Sequence, residues 1–369
     1  LAGLVAFAAA STSAQAVTVA ANDGWELGVS GLINQFVTFT NDDNAADDTA
    51  EVRDGLLPAF LNFDMKAPTM NGLDIAAHIS FSPGTNQSSY AAFEQREVYF
   101  TVDGSFGQVL AGKALGLYGS HNILTEQTLF GVGYGTTGNG GTTLGGIGFG
   151  YDYAGWRSQV KWTSVDMNGF KVAIAVADSS QAAFRLPNNG GLPISSLGTG
   201  QEHPAGDAVD SDNLRYEADL SYAGAFDGGS FTAWLSGVSE ERDNMGEDLS
   251  AWTVGGTLVV GGFEAMAQYS DSEDALFGST TESLEWDQYV VQAGYRFGGT
   301  TLVSANYSEL SDESDSRVNG ADQSERITVG VYHDVNANLK LVAEYTKVEN
   351  DDSDVLDQDI ISLGGFVFF

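Results

Sequence analysis

The chain contains no cysteine, and that absence removes disulfide frameworks, thiolate catalysis and Cys-ligated zinc together. Positive charge is scarce: 15 Lys and Arg stand against 50 Asp and Glu, for a formal charge of −35. Phosphate binding needs basic patches, so nucleic acid is excluded as a partner. No apolar run approaches the roughly 20 residues of a membrane-crossing helix, which excludes a helical membrane protein. The 46 glycines lack the Lys-Ser/Thr partner and following helix of a phosphate-binding loop, so no nucleotide cofactor is implied. Histidine is limited to His78, His121, His203 and His333, with no nucleophile-elbow motif nearby. No catalytic residue, metal ligand set or cofactor is expected. The acidic runs Asp42–Asp48 and Asp351–Asp354 lack the spaced loop and closing Glu of a calcium site.

What is present is a period-two alternation of apolar and polar side chains, which puts successive residues on opposite faces of a sheet. Trp25, Leu27, Val29, Ile33, Val37 and Phe39 share one face, and Glu26, Ser30, Asn34 and Thr38 the other. Phe170, Val172, Ile174 and Val176 alternate with Lys171 and three alanines, and Leu214, Tyr216, Leu220 and Tyr222 with Arg215, Glu217, Asp219 and Ser221. Sixteen such runs are counted, near residues 25–40, 56–67, 73–83, 93–103, 106–115, 151–165, 170–179, 213–223, 230–240, 249–260, 263–272, 285–298, 301–311, 324–334, 339–349 and 359–369. Long and short spacers alternate between them. The expected fold is all-β: an antiparallel 16-stranded transmembrane barrel with short periplasmic turns and long external loops. An open edge facing hydrocarbon would leave backbone groups unpaired at several kcal/mol each, so the sheet must close. Sixteen strands also leave room for water, where eight would be filled by side chains.

Residues 1–16, LAGLVAFAAASTSAQA, read as the back end of a secretory signal with an A-x-A site after Ala16. Residues 17–369 then form a single barrel domain. Within it Gly116–Gly150 is a long glycine-rich loop with one acidic residue, Glu126, and no Lys or Arg. It is too irregular for an ordinary strand or helix. Loops of this length without secondary structure are functional or disordered, and this one is expected to fold into the barrel and narrow it.

Two stretches resemble the general porins of Gram-negative outer membranes. Arg96–Lys113, REVYFTVDGSFGQVLAGK, is similar to that family's strand opening on Arg, tight turn, Phe-Gly, and strand closing on Gly and a basic residue. The terminal Phe369, preceded by Ile361, Leu363 and Val367 on one face, resembles the signal that barrel-assembly machinery recognises. The resemblance implies a homotrimer in the outer membrane, in contact with lipid and lipopolysaccharide, with the loop between strands five and six as the constriction. One departure stands out: the loop lacks the family's several acids and its Pro-Glu before Phe130-Gly131, which weakens any transverse field.

The polar face supplies Arg157, Lys161, Lys171, Arg215 and Arg296 as candidate pore-lining residues, and the Gly-basic motif adds Lys113. Tyr118 and Glu126 belong to the constricting loop. Tyr118 also falls among aromatics near run ends (Trp25, Trp156, Trp162, Trp252, Trp286, Tyr345) that suit interfacial girdles. Charged rings in a narrow low-dielectric pore set ion selectivity. Acidic loops would concentrate cations, so a cation-preferring channel for passive diffusion of ions and small hydrophilic solutes is expected. Weak divalent binding at those loops, bridging lipopolysaccharide phosphates, is a secondary expectation. The alternatives are a structural or adhesive barrel with a plugged lumen, and a substrate-specific channel. Trp234, Phe36 and Tyr332 are the large aromatics placed inward, too few to favour an aromatic slide.

Overall fold

The computed structural model describes residues 17–42, 48–85, 93–135, 142–178, 213–241, 248–273, 285–313, 322–351 and 357–369. Residues 1–16, His203 and much of the acidic loop sequence lie outside them. Eighteen strands form one antiparallel sheet. They are β1 (Val17–Asn22), β2 (Trp25–Asp42), β3 (Thr49–Arg53), β4 (Phe60–Lys66), β5 (Asp74–Pro83), β6 (Phe93–Gly104), β7 (Gly107–Leu115), β8 (Trp156–Thr163) and β9 (Phe170–Ala177). There follow β10 (Arg215–Phe226), β11 (Gly229–Glu240), β12 (Leu249–Val260), β13 (Phe263–Glu273), β14 (Glu285–Phe297), β15 (Thr301–Asp312), β16 (Gln323–Asn336), β17 (Leu339–Asn350) and β18 (Gln358–Phe368).

Sixteen of these close a ring. β4 to β18 pair in sequence, and β18 returns to β2, which pairs in turn with β4. The seam continues to the last residue: Phe369 and Gly31 exchange N–H···O bonds of 2.8 and 3.0 Å. β1 and β3 are accessory strands on β2, one at each end of that long strand.

The alternation sorts the side chains as its period requires. Ile33, Ile174, Val160, Tyr216, Val254, Phe297 and Leu363 face outward and are 43–57% exposed. Asn34, Thr38, Arg215, Glu217, Gln288, Thr328 and Ser362 face inward and are buried. A soluble sandwich hides its apolar faces; here the apolar face is the outer one.

Four features differ from the sequence reading. The run at 151–165 begins only at Trp156, because residues 151–155 still belong to the inward loop. The run at 56–67 begins only at Phe60, because residues 54–59 leave the wall and turn into the lumen. Asn34 in β2 holds them there, its Nδ2 donating to Leu57 O (2.7 Å) and its Oδ1 accepting from Gly55 N–H (2.8 Å). β1 and β3 add two short strands where none is expected. The loop after β7 is not wholly irregular: it contains helix α1 (Ser120–Thr125) and a 3₁₀ turn (Gln127–Phe130).

Candidate functional site: the inward loop and its latches

The chain between β7 and β8 is pinched at its base by Gly116 N–H on Gly155 O (2.8 Å) and runs inside the barrel. Its apolar side chains meet inward-facing wall residues. Phe130 sits edge-on to Phe366 with ring centroids 5.6 Å apart, and Phe366 does the same with Phe36 at 5.7 Å. Tyr118, Tyr134, Phe149 and Tyr151 are each at most 2% exposed.

Four buried carboxylates latch this loop to the wall. From β10, Glu217 accepts the N–H groups of Leu117 (2.5 Å) and Tyr118 (3.1 Å). From β17, Glu344 accepts those of Val132 (2.6 Å) and Gly133 (3.1 Å), and the Tyr332 hydroxyl (2.6 Å). In the other direction, Asp152 of the loop accepts from Trp286 Nε1 (2.9 Å), Gln288 Nε2 (2.7 Å), the Tyr118 hydroxyl (2.7 Å) and the Ser272 hydroxyl. Burial pushes the Asp152 carboxyl above the ordinary carboxylate value, and these four donors pull it back. Glu126 bonds Asn306 and Thr128 and lies 3.5 Å from the Arg326 guanidinium, both partners being fully buried. α1 docks through Asn122, which donates to Thr253 Oγ1 (2.9 Å) and accepts from Trp234 Nε1 (3.1 Å). Beside it His121 stacks on Trp234 at 5.2 Å.

Glycine serves this close approach. A Cβ on Gly131 would stand 1.8 Å from a Glu344 carboxylate oxygen, and one on Gly150, at φ +151°, 2.1 Å from Val290. No side chain but hydrogen fits there.

The two inward segments also bond each other: Leu56 N–H donates to Gly131 O (2.9 Å), and Thr143 N–H to Gly55 O (3.0 Å). Between them and the ends of β6, β7 and β8 lies a cavity. It is lined by Leu56, Leu57, Leu115, Ile123, Leu124, Leu129, Leu144, Ile147, Tyr153 and Trp156, with Arg96, Thr142 and Thr143. About 40 Å³ of it is open to the centres of water molecules, room for roughly three waters.

The residues singled out from sequence are placed as follows. Arg215 is buried and bonds Glu217 (2.6 Å) with Glu240 at 3.8 Å. Arg296 pairs with Glu264 (2.5 Å) and Asp334 (3.8 Å), half-buried near the short-turn end. Arg157 faces inward beside β7 and is buried. Lys161 sits opposite buried Leu110 and Ala175 on the same inner face. Lys171 follows the inward parity of Ala173, Ala175 and Ala177.

Lys113 goes the other way. Its register partners are Val98 and Ser158, one step along from Ala111, whose partners Phe100 and Val160 are 48% and 56% exposed. Directly opposed residues share a face, so Lys113 belongs to the outer wall and not to the lumen. The Gly-basic motif marks a strand end but carries no facing information; the register does.

Glu126 faces the wall through Arg326, and Tyr118 is enclosed by Asp152. Tyr118 and Trp286, read as girdle residues, are 1% and 2% exposed inside the barrel, and Trp156 lines the cavity. Trp25, Trp252 and Tyr345 are exposed on the outer face. Sequence reasoning missed Glu344, Asp152 and Arg326. Each stood in plain view as a charged residue in an alternating run or a glycine-rich loop, without a mark of its partner.

The comparisons agree with this architecture. A family model described as Gram-negative porin matches residues 2–353. No curated protein matches the chain. Among solved structures, the anion-selective porin of Comamonas acidovorans superposes with a TM-score of 0.68 at 13% identity, covering 94% of this chain and all of that one. OmpF of Salmonella typhi, solved in complex with daunomycin, gives 0.66 at 14% identity, covering 95% and 99%. The outer membrane channel DcaP of Acinetobacter baumannii gives 0.65 at 13% identity, covering 96% and 100%. With the closed sixteen-strand ring, the outward apolar face and the loop carried inside it, the chain belongs to the Gram-negative porin family: an integral outer-membrane barrel that forms a channel for passive diffusion.

Proposed function

We propose that this porin prefers cations. The observation that carries the reading is the pairing of four inward bases with acids. Arg215, Arg296, Arg326 and Lys340 each lie within 4 Å of an acid, so their charge is spent locally. Asp152 and Glu344 are held by neutral donors instead. With 50 acids against 15 bases in the chain, the lumen and its mouth carry negative potential, which raises the local cation concentration. The Comamonas relative is named anion-selective, and the two chains share too little sequence for that property to transfer.

On the same reading Arg157, Lys161, Lys171, Arg215 and Arg296 line the wall of the passage. Tyr118 and Glu126 hold the constricting loop in place. The protein works as a homotrimer passing ions and small hydrophilic solutes. The outer wall supports contact with lipopolysaccharide phosphates through divalent ions. Near the long-loop end Glu309, Glu325 and Glu349 stand directly opposite one another on β15, β16 and β17, with Lys347 2.5 Å from Glu349 as a counter-charge, and like charges opposed in this way are destabilising.

The test is the reversal potential of purified protein in a planar bilayer under a potassium chloride gradient. Potassium is expected to permeate better than chloride. A ratio favouring chloride removes the reading.

A further inference from the structure

A polar cluster on the inner wall of β4, β5 and β6 takes no part in latching the loop. Ile75 in β5 faces outward, so His78 and Ser80 point into the lumen by the strand's alternation. The register sets Asp64 and Tyr99 directly opposite His78, and Asn62 and Glu97 directly opposite Ser80. His78 Nδ1 lies 2.7 Å from Asp64 Oδ1; a carboxylate only accepts, so Nδ1 carries a proton. The Tyr99 ring stacks on the imidazole with centroids 5.0 Å apart. The ring is thereby fixed, with Nε2 on the side of Glu97, whose Oε2 is 3.4 Å away but off the line of a hydrogen bond. Among the described residues Nε2 has no hydrogen-bond partner, and neither has Asn62 Oδ1 or the hydroxyl of Ser80, a residue 0% exposed. Buried polar atoms in native proteins are nearly always paired, with protein, water or ligand.

We propose that His78 and Glu97 form a binding station for a borderline divalent metal ion of the Zn²⁺ class, with Asp64 as the positioning residue. A metal-bound imidazole gives one nitrogen to the ion and donates its other N–H to a carboxylate, which fixes the tautomer. Asp64 and His78 have that arrangement. Two ligands each about 2.0–2.1 Å from a tetrahedral ion stand about 3.4 Å apart, which is the separation of Nε2 and Glu97 Oε2. Imidazole as a ligand selects Zn²⁺ over Ca²⁺ and Mg²⁺, which take oxygen. Among the described residues no third His, Cys, Asp or Glu completes the set. Water and the neutral oxygens of Ser80 and Asn62 are left for the remaining positions, so the ion stays exchangeable, as conduction requires. The side chains of His78, Asp64 and Glu97 are 12%, 22% and 18% exposed, within reach of an ion arriving through lumen water.

Isothermal titration of the folded, untagged barrel in detergent with Zn²⁺ tests it, after stripping with a chelator and in excess Ca²⁺ to occupy the acidic loops. Saturable binding of a single Zn²⁺ per chain is expected. His78→Gln should abolish it. Asp64→Asn leaves both ligands in place but changes the group that orients the ring, and should weaken binding about tenfold to a hundredfold; Asp64→Glu, which keeps the carboxylate, should lie nearer the parent. Glu97→Gln removes the charged ligand and should weaken binding by at least as much as Asp64→Asn. Heat-shifted electrophoretic mobility reports that each variant is folded, and the Asp64 and Glu97 variants carry the test should His78→Gln fail to fold. No saturable Zn²⁺ in the parent, or affinity equal to the parent's in folded His78→Gln, Glu97→Gln or Asp64→Asn, would overturn the proposal and leave His78 as a bridge between two acids. Binding is measured without a current, so its failure and the failure of the channel reading are separate results.

Discussion

Replacing Glu344 by alanine should loosen the inward loop without unfolding the barrel. The carboxylate accepts three buried hydrogen bonds, from Val132 N–H, Gly133 N–H and the Tyr332 hydroxyl. Each buried donor left without an acceptor costs about 1–3 kcal/mol. Only the two loop amides distinguish docked from undocked, since Tyr332 and Glu344 both belong to the wall; taking the lower bound, because water enters the space vacated, the docked state loses about 2 kcal/mol. At 1.4 kcal/mol per tenfold, that is roughly thirtyfold in the docked-to-undocked ratio. β17 keeps its backbone ladder to β16 and β18, so heat-shifted mobility should be unchanged. Two readouts follow the loop: amide hydrogen exchange over residues 131–134 should accelerate roughly thirtyfold, and single-channel records should show larger, noisier steps. Glu344→Gln retains one acceptor oxygen for the two amides, and the Tyr332 hydroxyl can reverse to accept from the new amide nitrogen. It should lie close to the parent. If Glu344→Ala matched the parent in both exchange and current noise, the latch would not be holding the loop.

The remaining predictions concern the same loop and its wall. Asp152→Ala strands four donors and should undock the loop's return limb, whereas Asp152→Asn is milder because the Tyr118 and Ser272 hydroxyls can turn to accept; exchange at residues 150–152 distinguishes them. Burial raises the Asp152 and Asp54 carboxyls, Asp54 against the opposing pull of Thr85. A raised carboxyl binds its proton more tightly folded than unfolded, so stability rises as pH falls through that raised value toward the ordinary value near 4. Protection of residues 150–152 should therefore hold or increase from neutral to mildly acid pH, with the pH-dependent part absent in Asp152→Asn; a loss of protection on acidification contradicts this. Gly131→Ala forces a methyl into Glu344 and should cost about 1–3 kcal/mol of loop docking, read as faster exchange at Val132. On the outer face Val254, 43% exposed in the middle of β12, should tolerate Leu but lose about 2–4 kcal/mol as Lys in a lipid bilayer, measured by urea refolding into vesicles.

The wall was legible in the sequence because a period of two leaves little freedom. Once Ile33, Ile174 and Val291 are on one face, Asn34, Ala173 and Gln292 must be on the other. What period cannot report is where a strand lets go. Leu56 and Leu57 continue the apolar run into Phe60, yet Asn34 draws them inward, a contact across 23 residues of sequence. Facing at strand ends is equally hidden. Trp286 and Tyr118 look like rim aromatics, but their polar atoms find Asp152, which sits in a glycine-rich loop 134 and 34 residues away. The loop's inward path could be expected from its length and glycine content, but not the carboxylates that fix it, since a latch is a pairing of distant residues. Lys113 shows the converse: a local motif matched well, and only the cross-strand register revealed which way its side chain goes.

The inward loop narrows a water-filled barrel on this account; it does not stop it. Single-channel recording of the purified, folded chain in a planar bilayer tests that directly. Discrete, reproducible conductance steps are predicted, growing when Glu344→Ala frees the loop. A barrel that is folded by heat-shifted mobility, inserted in the bilayer and electrically silent would contradict it.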